Sequence, residues 1–236
     1  MANEKVISTS ALIEKFQFAL DNGWGYIWGA KGQVWTQKDQ NNATREMTKK
    51  YGQQWVGHNV ADCSGLFWWA FNQLGGYMYH GSDTMYRQYT TAKGKLKNGK
   101  RTDGQELLPG TAVFVWKEED QKYGHVGLYI GDGWVIEAQG TKTGVVKSKV
   151  TLSKWTNWGW LKGVQDGGDV PIPEGYAVVT GKNVALRKEP STKANIIMRV
   201  NTGSTVKLEE PPPSQWDYVS YNGKTGYMMK EFLKEG

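Results

Sequence analysis

The chain has 236 residues, 39% of them hydrophobic, with 12 Trp and 12 Tyr, a composition that requires a packed core and excludes a disordered or collagen-like chain. A single Cys excludes a disulfide framework and a cysteine-based metal site, and three scattered His without an HExxH pattern leave no zinc signature, so neither metal nor cofactor is expected. The net charge of +6 contains no block of like charges; it suits a solvated surface with room for an anionic partner such as a wall polymer, while no nucleic-acid motif is present and no apolar run approaches the ~20 residues of a membrane span.

The first segment alternates charged and apolar residues and lacks the pattern of a secretory signal, so the expectation is a cytoplasmic protein until it is released, or one whose signal is absent here. In "SALIEKFQFALDNG", Leu12, Ile13, Phe16, Ala19 and Leu20 share one helical face, and Asn22-Gly23 supply a stop. "GYIWGAKGQVW" follows as a Gly-rich turn carrying Tyr26 and Trp28. Residues 36–59 are polar, with a short helix near "ATREMTKKYG". A second helix begins at Cys63, with Leu66, Phe67, Ala70, Phe71 and Leu74 on one face and Gly75-Gly76 at its end.

After a basic, Gly-containing stretch (93–104) the pattern turns to strands: "LLPGTAVFVW", "GHVGLYIG", "WVIEAQG", "TGVVKSKVTL" and "WGWLKGV". Helices first and strands after predict an α+β domain with an antiparallel sheet over residues 1–165. Residues 166–175, rich in Gly, Pro and Asp, read as a linker. Residues 176–236 then read as a small all-β domain, with "NVALR", "TVKLEE" and "DYVSYNGKTGYM" as strands and Asn222-Gly223 as a two-residue hairpin turn. The run "PPP" at 211–213 reads as a stiff loop.

The lone Cys is the informative residue, because a free Cys is by default only a small buried hydrophobe. Here Asp62 stands at a helix N-cap position, which puts Cys63 in the first turn. There the unpaired amides and the helix dipole favour an anion, the setting in which thiols shift towards the reactive thiolate. Gly65 allows other backbone to approach closely. A thiolate needs a base, and His125 is the best placed because it opens a regular strand. His58 and His80 stand in polar, loop-like contexts and read as surface or structural residues. Cys at a helix start and His on a later strand is the layout of a cysteine hydrolase.

"DCSGL" and "HVGLYIGDGWVIEA", about sixty residues apart, resemble the NlpC-type family of papain-like cysteine peptidases. "GYIWGAKG" is similar to the Tyr-containing motif before the family's Cys, and "LLPGTAVFV" to the strand before its His; the resemblance covers residues 10–163. It implies a peptidoglycan hydrolase acting on stem peptides, typically at the bond between D-glutamate and a diamino acid. It implies Cys63 as nucleophile, His125 as base and later acid, and Glu137, twelve positions after the His, as the third polar residue. Tyr26 matches the tyrosine that assists the oxyanion or binds substrate, and Asp62 and Ser64 match residues lining the substrate site, with helix capping as their plainer role. Gly25 stands where the family often has Pro, Ala30 replaces a second Gly, Thr111 replaces an Asp, and residues 33–59 are longer than in compact members. "NVALRKEPS", "GSTVKLEE" and "WDYVSYNGKTGYM" resemble bacterial SH3-like modules that bind cell walls. In that module Trp216 is either an exposed stacking surface or a core residue. The whole resembles a phage-type endolysin. The alternatives are an amidase cutting between muramic acid and L-alanine, and a wall-binding protein without catalysis.

Gln139 competes with Glu137 for the role beside His125, and strand parity decides whether either reaches it. A two-residue turn at Asp132-Gly133 pairs Leu128 with Glu137 and sends both candidates to the face opposite His125. A three-residue turn over 131–133 pairs residue 127 with 137 and residue 125 with 139, bringing both to the face of His125; Gly133 suits its left-handed last position.

Overall fold

Helix α1 (Thr9–Asp21) forms where the apolar spacing predicts it: Ser8 caps it by accepting from the Ala11 amide, and Leu12, Phe16 and Ala19 are buried. In this computed structural model residues 6–152, 154–164, 176–181, 183–200, 205–210, 215–221 and 223–235 are described. The expected linker and the run at 211–213 lie outside them. The chain divides into two units, Met1–Val164 and Gln165–Gly236.

In the first unit, β1 (Lys31–Val34), α2 (Gln37–Asn41), α3 (Glu46–Tyr51) and β2 (Asn59–Ala61) precede α4 (Cys63–Gln73) and α5 (Ser82–Gln88). Seven strands follow: β3 (Thr90–Lys97), β4 (Lys100–Arg101), β5 (Ala112–Lys117), β6 (Lys122–Gly131), β7 (Trp134–Gly140), β8 (Gly144–Lys149) and β9 (Asn157–Leu161). They form one antiparallel sheet in the order β4-β3-β9-β5-β6-β7-β8. Helices before an antiparallel sheet make the unit α+β.

Both faces of the sheet's centre are covered, which is why β5, β7 and β9 read as nearly continuous apolar runs. Phe114, Val126, Leu128 and Ile136 pack on α1 and α4 through Leu12, Phe16, Leu66 and Phe67. Phe16 and Phe67 meet edge to face at 4.6 Å. The alternate residues Val113, Val115 and Val135 pack on the opposite side with Val150, Trp155 and Trp158. Each fully buried Phe or Leu contributes about 1.5–3 kcal/mol, so α4 is fixed by its apolar face as well as by its cap. Two elements carry no apolar signal in the sequence. α5 buries only Ser82 and Met85, and β3, which runs into the basic stretch, has a single buried residue, Leu96.

Residues 33–59 have a small core of their own, in which Trp35 and Trp55 pack against Ile27, Ala30 and Val60. Trp55 Nε1 donates to the Thr141 carbonyl at 2.6 Å, tying the segment to the β7–β8 connection. A Cβ at Gly25 would lie 2.5 Å from the Trp55 ring. The glycine is needed because this longer segment brings an indole onto the backbone at that point.

The second unit is all β. Its strands β10 (Tyr176–Val179), β11 (Val184–Arg187), β12 (Ile196–Val200), β13 (Thr205–Glu210), β14 (Trp216–Tyr221), β15 (Lys224–Met229) and β16 (Leu233–Glu235) run antiparallel in the order β12-β11-β15-β14-β13-β10-β16. Tyr221 pairs with Lys224, leaving a two-residue connection in which Gly223 has φ 71°. Val179, Leu186, Val206, Val219 and Met228 form the core. Trp216 is 8% exposed and belongs to the interior, so it offers no stacking surface.

Candidate active site

Cys63 is the first residue of α4, and Asp62 is its N-cap. Asp62 Oδ1 accepts from the Gly65 amide at 2.7 Å and from Ser64 Oγ at 3.1 Å, while Oδ2 accepts from the Gly29 amide at 2.8 Å. His80 Nε2 closes the set, 2.8 Å from Oδ2. Burial raises the Asp62 carboxyl, but the His80 contact and the Gly65 and Gly29 amides outweigh it and hold it below the usual carboxylate range. A Cβ at residue 65 would be driven into the Ala30 carbonyl oxygen, which already accepts from the Asp62 amide at 3.0 Å. Gly65 therefore lets the 28–30 loop close over the start of the helix. Asp62 and Ser64 are both buried in this cap.

The β6–β7 hairpin decides which side chains meet the thiol. Its connection is the two-residue turn Asp132-Gly133, with φ 52° and 76°, and Gly131 pairs with Trp134. By itself that turn would put Glu137 on the wrong face. The register shifts between Tyr129 and Gly131, however, so that Leu128 pairs with Ile136 and Tyr129 with Val135. Continued along the strands, this register sets Gly127 opposite Glu137. A bulge at Gly131 thus supplies the residue that parity requires.

His125 Nε2 lies 2.6 Å from Glu137 Oε2. Its remaining ring nitrogen is not used by Glu137, and Cys63 is close enough to raise the proton affinity of the imidazole. The ring stacks on Trp155, 5.7 Å between centroids and 24° between planes. Burial pushes the imidazole towards neutrality, yet the Cys63 and Glu137 contacts prevail and bring His125 up to about 9. Glu137 has no exposed surface. Ser148 Oγ donates to it at 2.6 Å, and Lys154 Nζ lies 2.5 Å from Oε1 and 2.6 Å from Oε2. Burial raises Glu137, but His125, Lys154 and Ser148 hold it down to about 2. A carboxylate buried without such partners would cost several kcal/mol. Gln139 Nε2 touches Glu137 Oε1 at 3.4 Å, so it extends this network rather than facing the imidazole.

Tyr26 is half-buried against the first core. Burial, then the negative charges of Cys63 and Asp62, push its hydroxyl well above the ordinary tyrosine range. His58 is exposed, with its ring edge towards Trp55 at 6.1 Å, away from this group.

Three partners of the site lack a local sequence signal of their own. Ser148 is a polar residue at an inward position of β8, paired with Val135. Lys154 lies in the connection between β8 and β9. His80 lies beyond the end of α4, in the turn that precedes α5. All three reach the centre through long-range packing. Among the described residues no group of His, Cys, Asp or Glu side chains converges as metal ligands.

The NlpC/P60 family matches residues 23–163, and the bacterial SH3 domain matches residues 182–234. Similar solved structures include NlpC2 from Trichomonas vaginalis, at 19% identity and TM-score 0.44, over 65% of this chain and 46% of that one. They also include the NlpC/p60 domain of the peptidoglycan hydrolase SagA, at 17% identity and TM-score 0.43, over 65% of this chain and 98% of that one. A third is the peptidoglycan hydrolase RipB from Mycobacterium tuberculosis, at 18% identity and TM-score 0.40, over 65% of each chain. The chain spans less than half the length of the Trichomonas NlpC2 and NlpC1 structures. No curated protein matches it.

Proposed function

The chain belongs to the NlpC/P60 family, a family of cysteine peptidases and peptidoglycan hydrolases, and from that premise we propose that it cleaves bacterial stem peptides between D-glutamate and the diamino acid. The observation that carries this reading is the His125–Glu137 pair at 2.6 Å, near Cys63 at the start of α4.

The reaction follows from the placement of protons. The His125 nitrogen facing Cys63 takes the thiol proton, and the thiolate attacks the γ-carbonyl carbon of D-glutamate. The carbonyl oxygen becomes an oxyanion beside the first-turn amides of α4, which lack intrahelical partners by position, and beside the Tyr26 hydroxyl. Next the C–N bond breaks and His125 returns its proton to the departing amine of the diamino acid, leaving a thioester on Cys63. Water, deprotonated by His125, attacks the thioester; the carboxylate leaves and the thiol is restored. Throughout, Glu137 holds Nε2–H and stabilises the imidazolium without taking its proton. The domain matched at residues 182–234 is of the wall-binding type, and its role in this reading is to raise the enzyme's local concentration at the wall, including any anionic polymers there.

Mass spectrometry of muropeptides released from purified walls tests the reading. A new amino terminus on the diamino acid is the expected result. A new amino terminus on L-alanine would make the enzyme an amidase instead. No release above that of untreated walls would leave a binding protein without catalysis, and equal release by wild type and Cys63→Ala would remove the cysteine mechanism. Residues 176–236 alone are expected to sediment with walls, and residues 1–165 to keep cleaving soluble stem peptide; a tail that stays in the supernatant at low and moderate salt would remove the targeting role.

A further inference from the structure

Residues 80–83 touch both halves of the reacting centre. At one end His80 Nε2 lies 2.8 Å from Asp62 Oδ2, and Asp62 directly precedes Cys63. At the other, Ser82 Oγ donates to the Tyr123 carbonyl at 2.7 Å and Asp83 Oδ1 accepts from the Tyr123 amide at 3.0 Å. Tyr123 stands two residues before His125. Only Gly81 separates His80 from Ser82, so at most about 7 Å of chain joins the two grips. Met78 and Met85, both fully buried in the first core, seat the segment from either side.

The grip on Tyr123 supplies what the sheet omits there. The pairing of β5 with β6 sets Val115 opposite His125 and Trp116 opposite Tyr123, so Gly124 is an extra, unpaired residue directly before the base. A ladder interrupted by a glycine bulge does not by itself hold the strand on both sides at one angle. Helix α5 holds it. Besides Ser82 and Asp83, Tyr86 packs its ring on that of Tyr123, 3.9 Å between centroids. Arg87 donates to Asp83 Oδ2 at 2.8 Å and to the Gln121 carbonyl at 3.3 Å. Burial raises the Asp83 carboxyl, but Arg87 and the Tyr123 amide outweigh it and hold it below the usual range, so it stays an acceptor. Four of the seven residues of α5 thus face the start of β6, which accounts for a helix that buries only a Ser and a Met.

We infer that residues 80–83 form a brace that sets the distance between Cys63 and His125, and that Ser82 and Asp83 are positioning residues for the base. The inference rests on the Cys–His mechanism proposed above and on no particular choice of cleaved bond. Proton transfer from the thiol needs the imidazole within hydrogen-bond reach, and a misplacement of about 1 Å costs on the order of 10²-fold in rate. Cys63 starts a helix and His125 lies on a strand, so their separation is otherwise left to the packing of α4 on the sheet. The brace replaces that long path with a short one. His80 holds the cap of the helix, and Ser82 and Asp83 hold the strand through Tyr123.

The test uses the full chain and two readouts. One is cleavage of soluble disaccharide–stem peptide fragments of purified walls, with the new amino termini quantified. The other is the rate at which iodoacetamide alkylates Cys63, the only thiol in the chain, at neutral pH. Asp83→Ala is expected to lower kcat about tenfold or more with KM within about twofold of wild type. Alkylation is expected to slow with it, because a thiol out of reach of the imidazole is less often a thiolate. Asp83→Asn keeps an oxygen for the Tyr123 amide and is expected to stay within about threefold of wild type by both readouts. The far-UV spectrum checks folding. Should Asp83→Ala not fold, Ser82→Ala carries the test, with a loss of roughly threefold expected in both readouts and no loss counting against the brace. A loss confined to KM, wild-type kcat and alkylation in a folded Asp83→Ala, or an Asp83→Asn as impaired as Asp83→Ala would overturn the brace and leave the Cys–His mechanism in place. Cleavage by Cys63→Ala at the wild-type rate would overturn that mechanism, and the brace with it.

Discussion

Two histidine–carboxylate pairs adjoin Cys63, and they are built from the same parts. His125 Nε2 lies 2.6 Å from Glu137, and His80 Nε2 lies 2.8 Å from Asp62; both carboxylates are buried. The pairs differ in what else the carboxylate holds. Glu137 binds side chains, Ser148 and Lys154, and its histidine is raised by the nearby thiol. Asp62 binds, besides the neighbouring Ser64 hydroxyl, backbone amides at Gly29 and Gly65, from a loop and from the helix of Cys63. A carboxylate whose remaining partners are side chains sets the proton affinity of its histidine. One that ties two backbone amides together sets where a backbone lies. The first pair is assigned to the chemistry and the second to the position of the nucleophile.

The largest effect belongs to the thiol that both pairs serve. Cys63→Ala is expected to lower wall lysis about 10⁴–10⁶-fold, measured as loss of turbidity, with the far-UV spectrum and wall sedimentation unchanged. Lysis near the wild-type rate would leave neither pair a reaction to support.

Next comes the chemical pair. Glu137→Ala is expected to lose roughly 10²–10⁴ in peptide cleavage, the range of a misoriented general base, while Gln139→Ala stays near wild type. The reverse result would hand the role to Gln139. His80→Ala separates the two pairs most sharply. It is expected to cost on the order of tenfold in activity together with about 1–2 kcal/mol in urea midpoint stability, with the shape of the pH profile retained. A changed pH profile without loss of stability would put His80 in the chemistry and erase the distinction.

The smallest effect is a displacement of the alkaline limb. His125 must be protonated to supply the leaving amine, so activity is expected to fall as pH rises through about 9. The anion Glu137 favours the imidazolium and the cation Lys154 opposes it. Glu137→Gln should therefore move the limb down, and Lys154→Met should move it up. A limb that stays fixed in Lys154→Met would confine the lysine to neutralising a buried charge.

What the sequence discloses here is whatever has a local cause. The N-cap at Asp62, the apolar face of α4 and the strand that carries His125 each follow from a few neighbouring residues, so the proposed nucleophile and base are both legible. The family resemblance favours Glu137 over Gln139, whereas parity decides only whether either reaches His125, and the run Gly131-Asp132-Gly133 serves equally as a three-residue turn or as a two-residue turn with a bulge. Backbone angles, not residue types, distinguish the two. Lys154 and His80 were opaque because neither stands in a pattern; each is delivered by packing of elements distant in the chain. α5 and β3 were hidden for another reason, since one buries a Ser and a Met and the other is mostly Thr, Lys and Gly.

The bulge at Gly131 gives the hairpin something like a reading frame. A side chain on a strand points one way or the other, and every residue gained or lost between His125 and Glu137 reverses the answer for all that follow. Substitution within the turn is limited only by the backbone angles it needs, but a single deletion there would carry Glu137 through the sheet and away from the imidazole, and would turn Ile136 and Ala138 away from α4 with it. A second deletion would bring it back. The turn is thus constrained in its length more than in its letters, and insertions and deletions in it are tolerated, if at all, in even steps.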